Sequence, residues 1–238
     1  MSAGANEFLI AGNGAFVYDM QKEEIIYKNY MKKQKILEVI KICEENSIFY
    51  SIYTPDEVIT SALAGDSLFY NYENKKNAPD RQININITED IYDYVQNYKK
   101  NDFLKITICD NDKPVFEGIM RKLKKIRNIH VINVGHMSRK LIKSGTEEVE
   151  IAYFYTEITN KNANKWTATE KLIQILGIEK EEVIGIGDNI NDKELIEESG
   201  MGVAMGNSAT EVKKIADYVT GNNNESGVAE AIKRYILQ

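Results

Sequence analysis

The sequence predicts an α/β protein: a doubly wound, Rossmann-like core with an inserted α+β domain. Three observations carry this expectation. From Thr159 onward, short apolar runs alternate with amphipathic helical patterns, the signature of a wound parallel sheet. Within that stretch Val183, Ile184 and Ile186 form a short apolar run that stops at Gly187-Asp188, as a strand buried on both faces does where it reaches the edge of a sheet. Between about Tyr30 and Thr156 the character changes to tyrosine-rich alternating strands, which suit a sheet with one face partly exposed. The core is therefore expected over 1–29 and 157–238, and the inserted domain over 30–156.

The elements follow in chain order. Phe8 to Ala11 reads as a buried strand, Asn13-Gly14 as a turn, and Ala15 to Tyr18 and Glu24 to Tyr27 as further extended pieces. Met31 to Asn46 carries Ile36, Ile40 and Cys43 at helical spacing. IFYSIY, SLFYNY and ININI read as extended, the last as a half-exposed antiparallel strand. Thr88 is placed to cap a helix with Ile91, Val95 and Tyr98 on one stripe. A strand at Leu104 to Cys109, a helix over 115–126 after Pro114, and strands at Ile129 to Val134 and Val149 to Ile158 complete the insert. Beyond it, Asn162 or Asn164 caps a helix with Ala168, Leu172, Ile175 and Leu176 as its apolar stripe and Gly177 as its stop. The strand at 183–186, a helix with Leu195 and Ile196, the strand GVAM, a helix with Val212 and Ile215, the pair Tyr218-Val219 and a last helix with Val228 and Ile232 finish the chain.

A net charge of −6 gives no footprint for nucleic acid or an anionic membrane. The one basic run, Arg121 to Arg127, is interrupted by Leu123 and Ile126 at helical spacing and reads as a solvated helix face. Cys43 and Cys109 are isolated, without metal-ligand spacing, so a reducing compartment is expected. No apolar run nears the roughly 20 residues a membrane span needs, and MSAGANEF lacks the features of a signal peptide. A cytoplasmic protein with a small-molecule ligand is expected.

Chemistry should collect at the end of the 183–186 strand, because ligands of open α/β sheets bind outside the carboxyl ends of strands. Asp188 and Asp192, with Asn189 and Asn191 between, stand on a turn that opens a helix. Such a cluster can hold Mg²⁺ or meet a phosphate, or merely cap the helix. Lys165 begins the preceding helix near the same sheet edge and can neutralise a phosphate as a point charge, or be a plain surface lysine. ITICDND offers a second acidic strand end in Asp110 and Asp112, which reads as the polar lead into a proline-started helix. His130 and His136 have no metal spacing and read as structural or surface residues.

The run NKWTATEKLIQILGI, followed by EEVIGIGDNINDKELIEESGMGVAMGNSATEVKKIADYVT and ESGVAEAI, closely resembles the C-terminal part of Cof-type phosphatases of the haloacid dehalogenase superfamily. The resemblance matches Lys165 to the lysine of that family's third motif, and Gly187, Asp188, Asn191 and Asp192 to its GDxxND motif. It implies a Mg²⁺ site to which Asp188 contributes and Asp192 lends support, and a phosphoryl group of a small phosphorylated metabolite held by Lys165 and Asn191. FLIAGNGAFVYD looks like the family's segment leading towards a cap, which places Asn13 and Gly14 at the site's rim, and residues 30–156 are similar to the inserted α/β cap.

The family's chemistry also rests on a DxDGT motif, whose first aspartate attacks phosphorus and whose second acts as acid and base. The 238 residues contain neither that motif nor the family's second motif. In the family the nucleophile strand lies beside the GDxxND strand, so the resemblance implies a core incomplete at its N-terminus, whose strand edges would be open to self-association. The expectation is therefore a phosphatase by ancestry whose hydrolysis is impaired, with a truncated or internally started copy favoured over a rearranged assembly. The alternative is a pseudo-enzyme that binds phosphate or metabolite, or an interaction module.

Overall fold

The computed structural model describes residues 7–132, 138–144 and 147–237. The chain divides into two compact units, one of residues 1–29 and 163–238 and one of residues 30–162.

The first unit opens with an antiparallel meander of β1 (Phe8–Ala11), β2 (Phe16–Asp19) and β3 (Glu24–Lys28). Ala15 and Val17 are its fully buried residues.

The second unit runs through α1 (Lys33–Glu45), β4 (Phe49–Tyr53), β5 (Val58–Thr60), α2 (Gly65–Asn74), β6 (Ile85–Ile87), α3 (Ile91–Asn97), β7 (Lys105–Asp110), α4 (Lys113–Leu123), β8 (Ile129–Val131), β9 (Ser138–Ser144) and β10 (Glu147–Asn160). Its sheet has the order β6-β5-β4-β7-β10-β8, with β9 paired to β10. Ile52, Ile106, Ile108 and Ile158 alternate onto one face and meet Ile36, Val39 and Ile40 of α1, Ile91 and Val95 of α3 and Ile119 and Leu123 of α4. Each such isoleucine contributes roughly 1.5–3 kcal/mol by leaving water, so this face holds the unit together. The opposite face is polar, and α2 joins it through Asp66, which accepts from the Tyr153 hydroxyl at 2.7 Å.

Several expectations need correction here. SLFYNY is helical, in α2. Its first turn is closed by Ser67, whose Oγ accepts from the Ala64 amide at 3.1 Å, and a short apolar run has no period by which to tell strand from helix. Because α2 is a crossover, β6 returns parallel to β5, Val58 opposite Ile85, and is not the antiparallel strand that ININI suggested. Asp90, not Thr88, caps α3, accepting from the Asp93 amide at 2.8 Å. The expected boundary at 156/157 falls inside β10, whose pairing with β8 continues to Asn160.

The chain then returns to the first unit: α5 (Lys165–Leu176), β11 (Ile184–Gly187), α6 (Lys193–Glu198), β12 (Met201–Ala204), α7 (Thr210–Ile215), β13 (Tyr218–Val219) and α8 (Gly227–Tyr235). The parallel sheet has the order β11-β12-β13, with Ile196, Ala204 and Val212 in the core beneath its helices. Among the described residues β11 pairs only with β12 and β1 only with β2, so each leaves one ladder open. The expected stripe of α5 is also corrected: Ala168 and Ile173 are buried, whereas Ile175 and Leu176 are 57% and 43% exposed. The helix buries only the narrow face it turns to β1–β3 and α6. Among the described residues no helix is long and apolar enough to cross a membrane.

Candidate functional site

Three segments of the first unit converge at the carboxyl end of β11. The first is the turn that leaves this strand. Asp192, the last residue of the turn Ile190–Asp192, folds back so that its Oδ2 accepts from the amides of Asp188, at 3.1 Å, and Asn189, at 3.0 Å. The loop closes this tightly because Gly187 has no side chain: a methyl there would lie 2.2 Å from Cβ of Asp192.

The second segment is the start of α5. Asn164 caps it, its Oδ1 accepting from the Thr167 amide at 2.7 Å and the Thr167 hydroxyl at 2.9 Å. The cap sets Lys165 as the first helical residue, and its Nζ donates to Asp192 Oδ1. Asp192 is 3% exposed, so its charge is held by two backbone N–H groups and one ammonium. The Lys165 side chain is 34% exposed and keeps contact with water.

The third segment is the β1–β2 turn. Gly14, at φ +87°, lies so close to the α5 cap that a methyl there would meet the Asn164 carbonyl oxygen at 2.0 Å. This brings Asn13 to Asn191, whose Nδ2 donates to Asn13 Oδ1 at 2.9 Å. The Asn191 Oδ1 is buried and has no hydrogen-bond partner, an orphaned acceptor that costs about 1–3 kcal/mol unless a ligand or water donates to it.

The six residues singled out in the sequence thus meet in one cluster, with unequal roles. Both oxygens of Asp192 are already engaged, so it builds the loop and holds Lys165. Asp188 is exposed, and its Oδ2 takes one hydrogen bond, from Asn207 Nδ2 at 3.2 Å. A Mg²⁺ ion, which keeps several waters and takes one or two carboxylates, finds in Asp188 an outward carboxylate of the right chemistry. Among the described residues no group of three or more His, Cys, Asp and Glu is placed to enclose a metal. These residues therefore fit a cation shared with substrate oxygens and water, not a closed protein cage. Asn207 escaped the sequence reading. Its signal was available, since Gly206-Asn207 follows the strand beside β11 at the same sheet edge.

The remaining candidates have structural roles or fall outside the described residues. Asp112 caps α4, accepting from the Val115 amide at 2.9 Å, and Asp110 accepts from the Asp112 amide at 2.7 Å. His130 lies in β8, and His136 lies outside the described residues. Cys43 and Cys109 are both buried. Burial raises the Cys43 thiol well above its ordinary value.

Comparison with known proteins bears on this geometry. The sequence profile of the haloacid dehalogenase-like hydrolase family matches residues 2–232. The chain is 25% identical to phosphatase YwpJ of Bacillus subtilis (strain 168), over 98% of its own length and 81% of that protein. It is 31% identical to the 5-amino-6-(5-phospho-D-ribitylamino)uracil phosphatase YcsE of the same organism, over 61% of this chain and only 51% of YcsE. The crystal structure of a haloacid dehalogenase-like hydrolase from Bacteroides thetaiotaomicron superposes with a TM-score of 0.73 at 25% identity, over 96% of this chain and 76% of that one. With its mixed α/β architecture and its Lys165 and GDxxND elements at one sheet edge, the chain belongs to the haloacid dehalogenase-like hydrolase family, in its Cof-type branch.

Proposed function

We propose that the first unit is the body of a Mg²⁺-dependent phosphomonoester hydrolase acting on small phosphorylated metabolites, and that the second unit is the inserted cap that selects among them. The observation that carries this reading is the Asp188–Asp192–Lys165 cluster at the carboxyl end of a parallel strand. In it Lys165 is a cation fixed by a buried carboxylate and still open to water. Lys165 neutralises phosphoryl oxygens as a point charge. Asp192 sets its position, and Asn191, with Asn13 behind it, presents polar groups at the rim. Asp188 would hold the cation, which when bound supplies Lewis-acid stabilisation of phosphoryl charge. The names of YwpJ and YcsE support phosphomonoesters as the ligand class, and two isolated, buried cysteines without metal-ligand spacing suit a reducing, cytoplasmic setting.

The 238 residues carry no DxDGT motif, and Asp188 is the outward carboxylate at the described edge. We therefore infer that this chain by itself binds phosphate more readily than it hydrolyses an ester. The second reading, a pseudo-enzyme that keeps binding without turnover, rests on the same fact. The ladders that β1 and β11 leave open among the described residues would support self-association, since unpaired strand edges recruit another chain. Phosphate release from a panel of sugar and ribityl phosphates, with and without Mg²⁺, is to be measured beside phosphate binding by calorimetry. Mg²⁺-dependent phosphate binding with little or no release is the expected result. Rapid release overturns the inferred impairment, and absence of both binding and release removes the phosphatase-type site altogether.

A further inference from the structure

We propose that Asn207 is a positioning residue that fixes the Asp188 carboxylate, so that Oδ2 is held and Oδ1 is presented to a cation. The inference rests on the reading of Asp188 as the cation-facing group and adds a residue that no motif of the sequence singled out.

The geometry begins with the register of the parallel sheet. Gly187 lies opposite Ala204, so β11 and β12 end at one level and their following turns are neighbours. The turn after β12 is pinned to the end of β11 twice, by the Met205 amide on the Gly187 carbonyl at 2.9 Å and the Ser208 hydroxyl on the same oxygen at 3.4 Å. From this turn Asn207 reaches in two directions. Its Nδ2 donates to Asp188 Oδ2 at 3.2 Å, and its Oδ1 accepts from the Asn223 amide at 3.0 Å.

The second bond gives the first its direction. A carboxamide is planar, so fixing its oxygen on a backbone N–H fixes where its amino group points. The loop that supplies this N–H is itself tied down: Gly206 donates to the Gly221 carbonyl at 3.0 Å, and Glu230 of α8 accepts from the Gly221 amide at 3.0 Å. Asn207 thus carries the rigidity of that loop to Asp188. Oδ1 of Asp188 has no protein partner among the described residues. An aspartate at 207 could not replace the amide, because it lacks the donor and would set a second negative charge against Asp188.

Asp188 and Asn207 are both exposed, so their hydrogen bond adds little to stability. A purely structural residue at this place would leave no trace at the carboxylate. The test uses the full chain and two readouts. Side-chain couplings by NMR give the χ1 distribution of Asp188 without metal, and titration with Mn²⁺, a paramagnetic stand-in for Mg²⁺, gives its affinity. In the unsubstituted chain one χ1 rotamer should dominate. In Asn207→Ala the rotamers should average, and the Mn²⁺ Kd should rise about tenfold, the range for loss of a partner that orients a metal ligand. Asn207→Asp should do the same, and Asn207→Gln, which keeps the amide on a longer stem, should recover part of the loss. An unchanged Asp188 rotamer in Asn207→Ala overturns the proposal, and so does an unchanged Mn²⁺ Kd. If the rotamer is released but neither form binds Mn²⁺, the fixing of Asp188 stands, whereas the cation reading of the site fails.

Discussion

Replacing Asp192 by alanine separates a carboxylate that builds a loop from one that merely lies near a metal. In the folded chain its Oδ2 satisfies the amides of Asp188 and Asn189, and its Oδ1 accepts from Lys165. Hydrogen bonds to a charged acceptor contribute about 1.5–3 kcal/mol each. Asp188 and Asn189 are exposed, so water recovers part of the loss. The Lys165 ammonium, one-third exposed, adds at most about 1 kcal/mol. Asp192→Ala should therefore destabilise the first unit by about 2–4 kcal/mol, a urea midpoint roughly 1–2 M lower for a unit of this size. Asp192→Asn keeps one oxygen for the two amides and should lose about 1–2 kcal/mol.

The chain supplies its own probe, because its single tryptophan, Trp166, lies in α5 of the first unit. Trp166 fluorescence should follow the affected transition, while the near-ultraviolet dichroism of the tyrosines, most of which lie in the second unit, should hold its midpoint. A loss below about 1 kcal/mol in Asp192→Ala, or equal losses in the two variants, would refute the loop-building role.

Two other perturbations test the frame of the molecule. Gly14→Ala places a methyl 2.0 Å from the Asn164 carbonyl oxygen at a φ of +87°, and should destabilise the Trp166-reported unit by at least about 2 kcal/mol; a neutral effect would mean that the β1–β2 turn does not rest on the α5 cap. In the second unit burial raises the phenols of Tyr50, Tyr53 and Tyr153 and pushes Tyr70 up to about 12. The fold holds these groups neutral while the unfolded chain ionises them near pH ~10. Their contribution is therefore full below that pH and falls as pH rises through the folded values. Urea midpoints of the second unit should drop between pH 9 and 11 without early phenolate absorbance, and buried tyrosines that titrate before unfolding would contradict this.

Local signals carried the sequence reading where one element suffices to express them. Asn164 and Gly177 bracket α5 because a cap and a stop are properties of the residues at the helix ends. The Gly187-Asp188 strand end and the proline-started helix that follows ITICDND were legible for the same reason. Signals failed where a choice depends on what lies opposite. SLFYNY is helical because α2 crosses over to place β6, and Ile175 and Leu176 are exposed because their helix presents another face to β1–β3.

The same division runs through the candidate site. Residue types and spacing drew attention to Lys165, Asp188, Asn191 and Asp192, since a charge or an amide at a strand or helix end is a local fact, whereas Asn13 and Gly14 came only from the family resemblance. Which aspartate faces outward was not local. Both sit in one turn, and only the fold-back of Asp192 onto two amides and a lysine from α5 distinguishes them. Asn207 belongs wholly to the tertiary structure: its partners are 19 residues before it and 16 after it. Sequence determined the elements and the chemical groups at their ends. Parallel pairing of β11 with β12 decided which of those groups meet, because strand register sets distances that no single element contains.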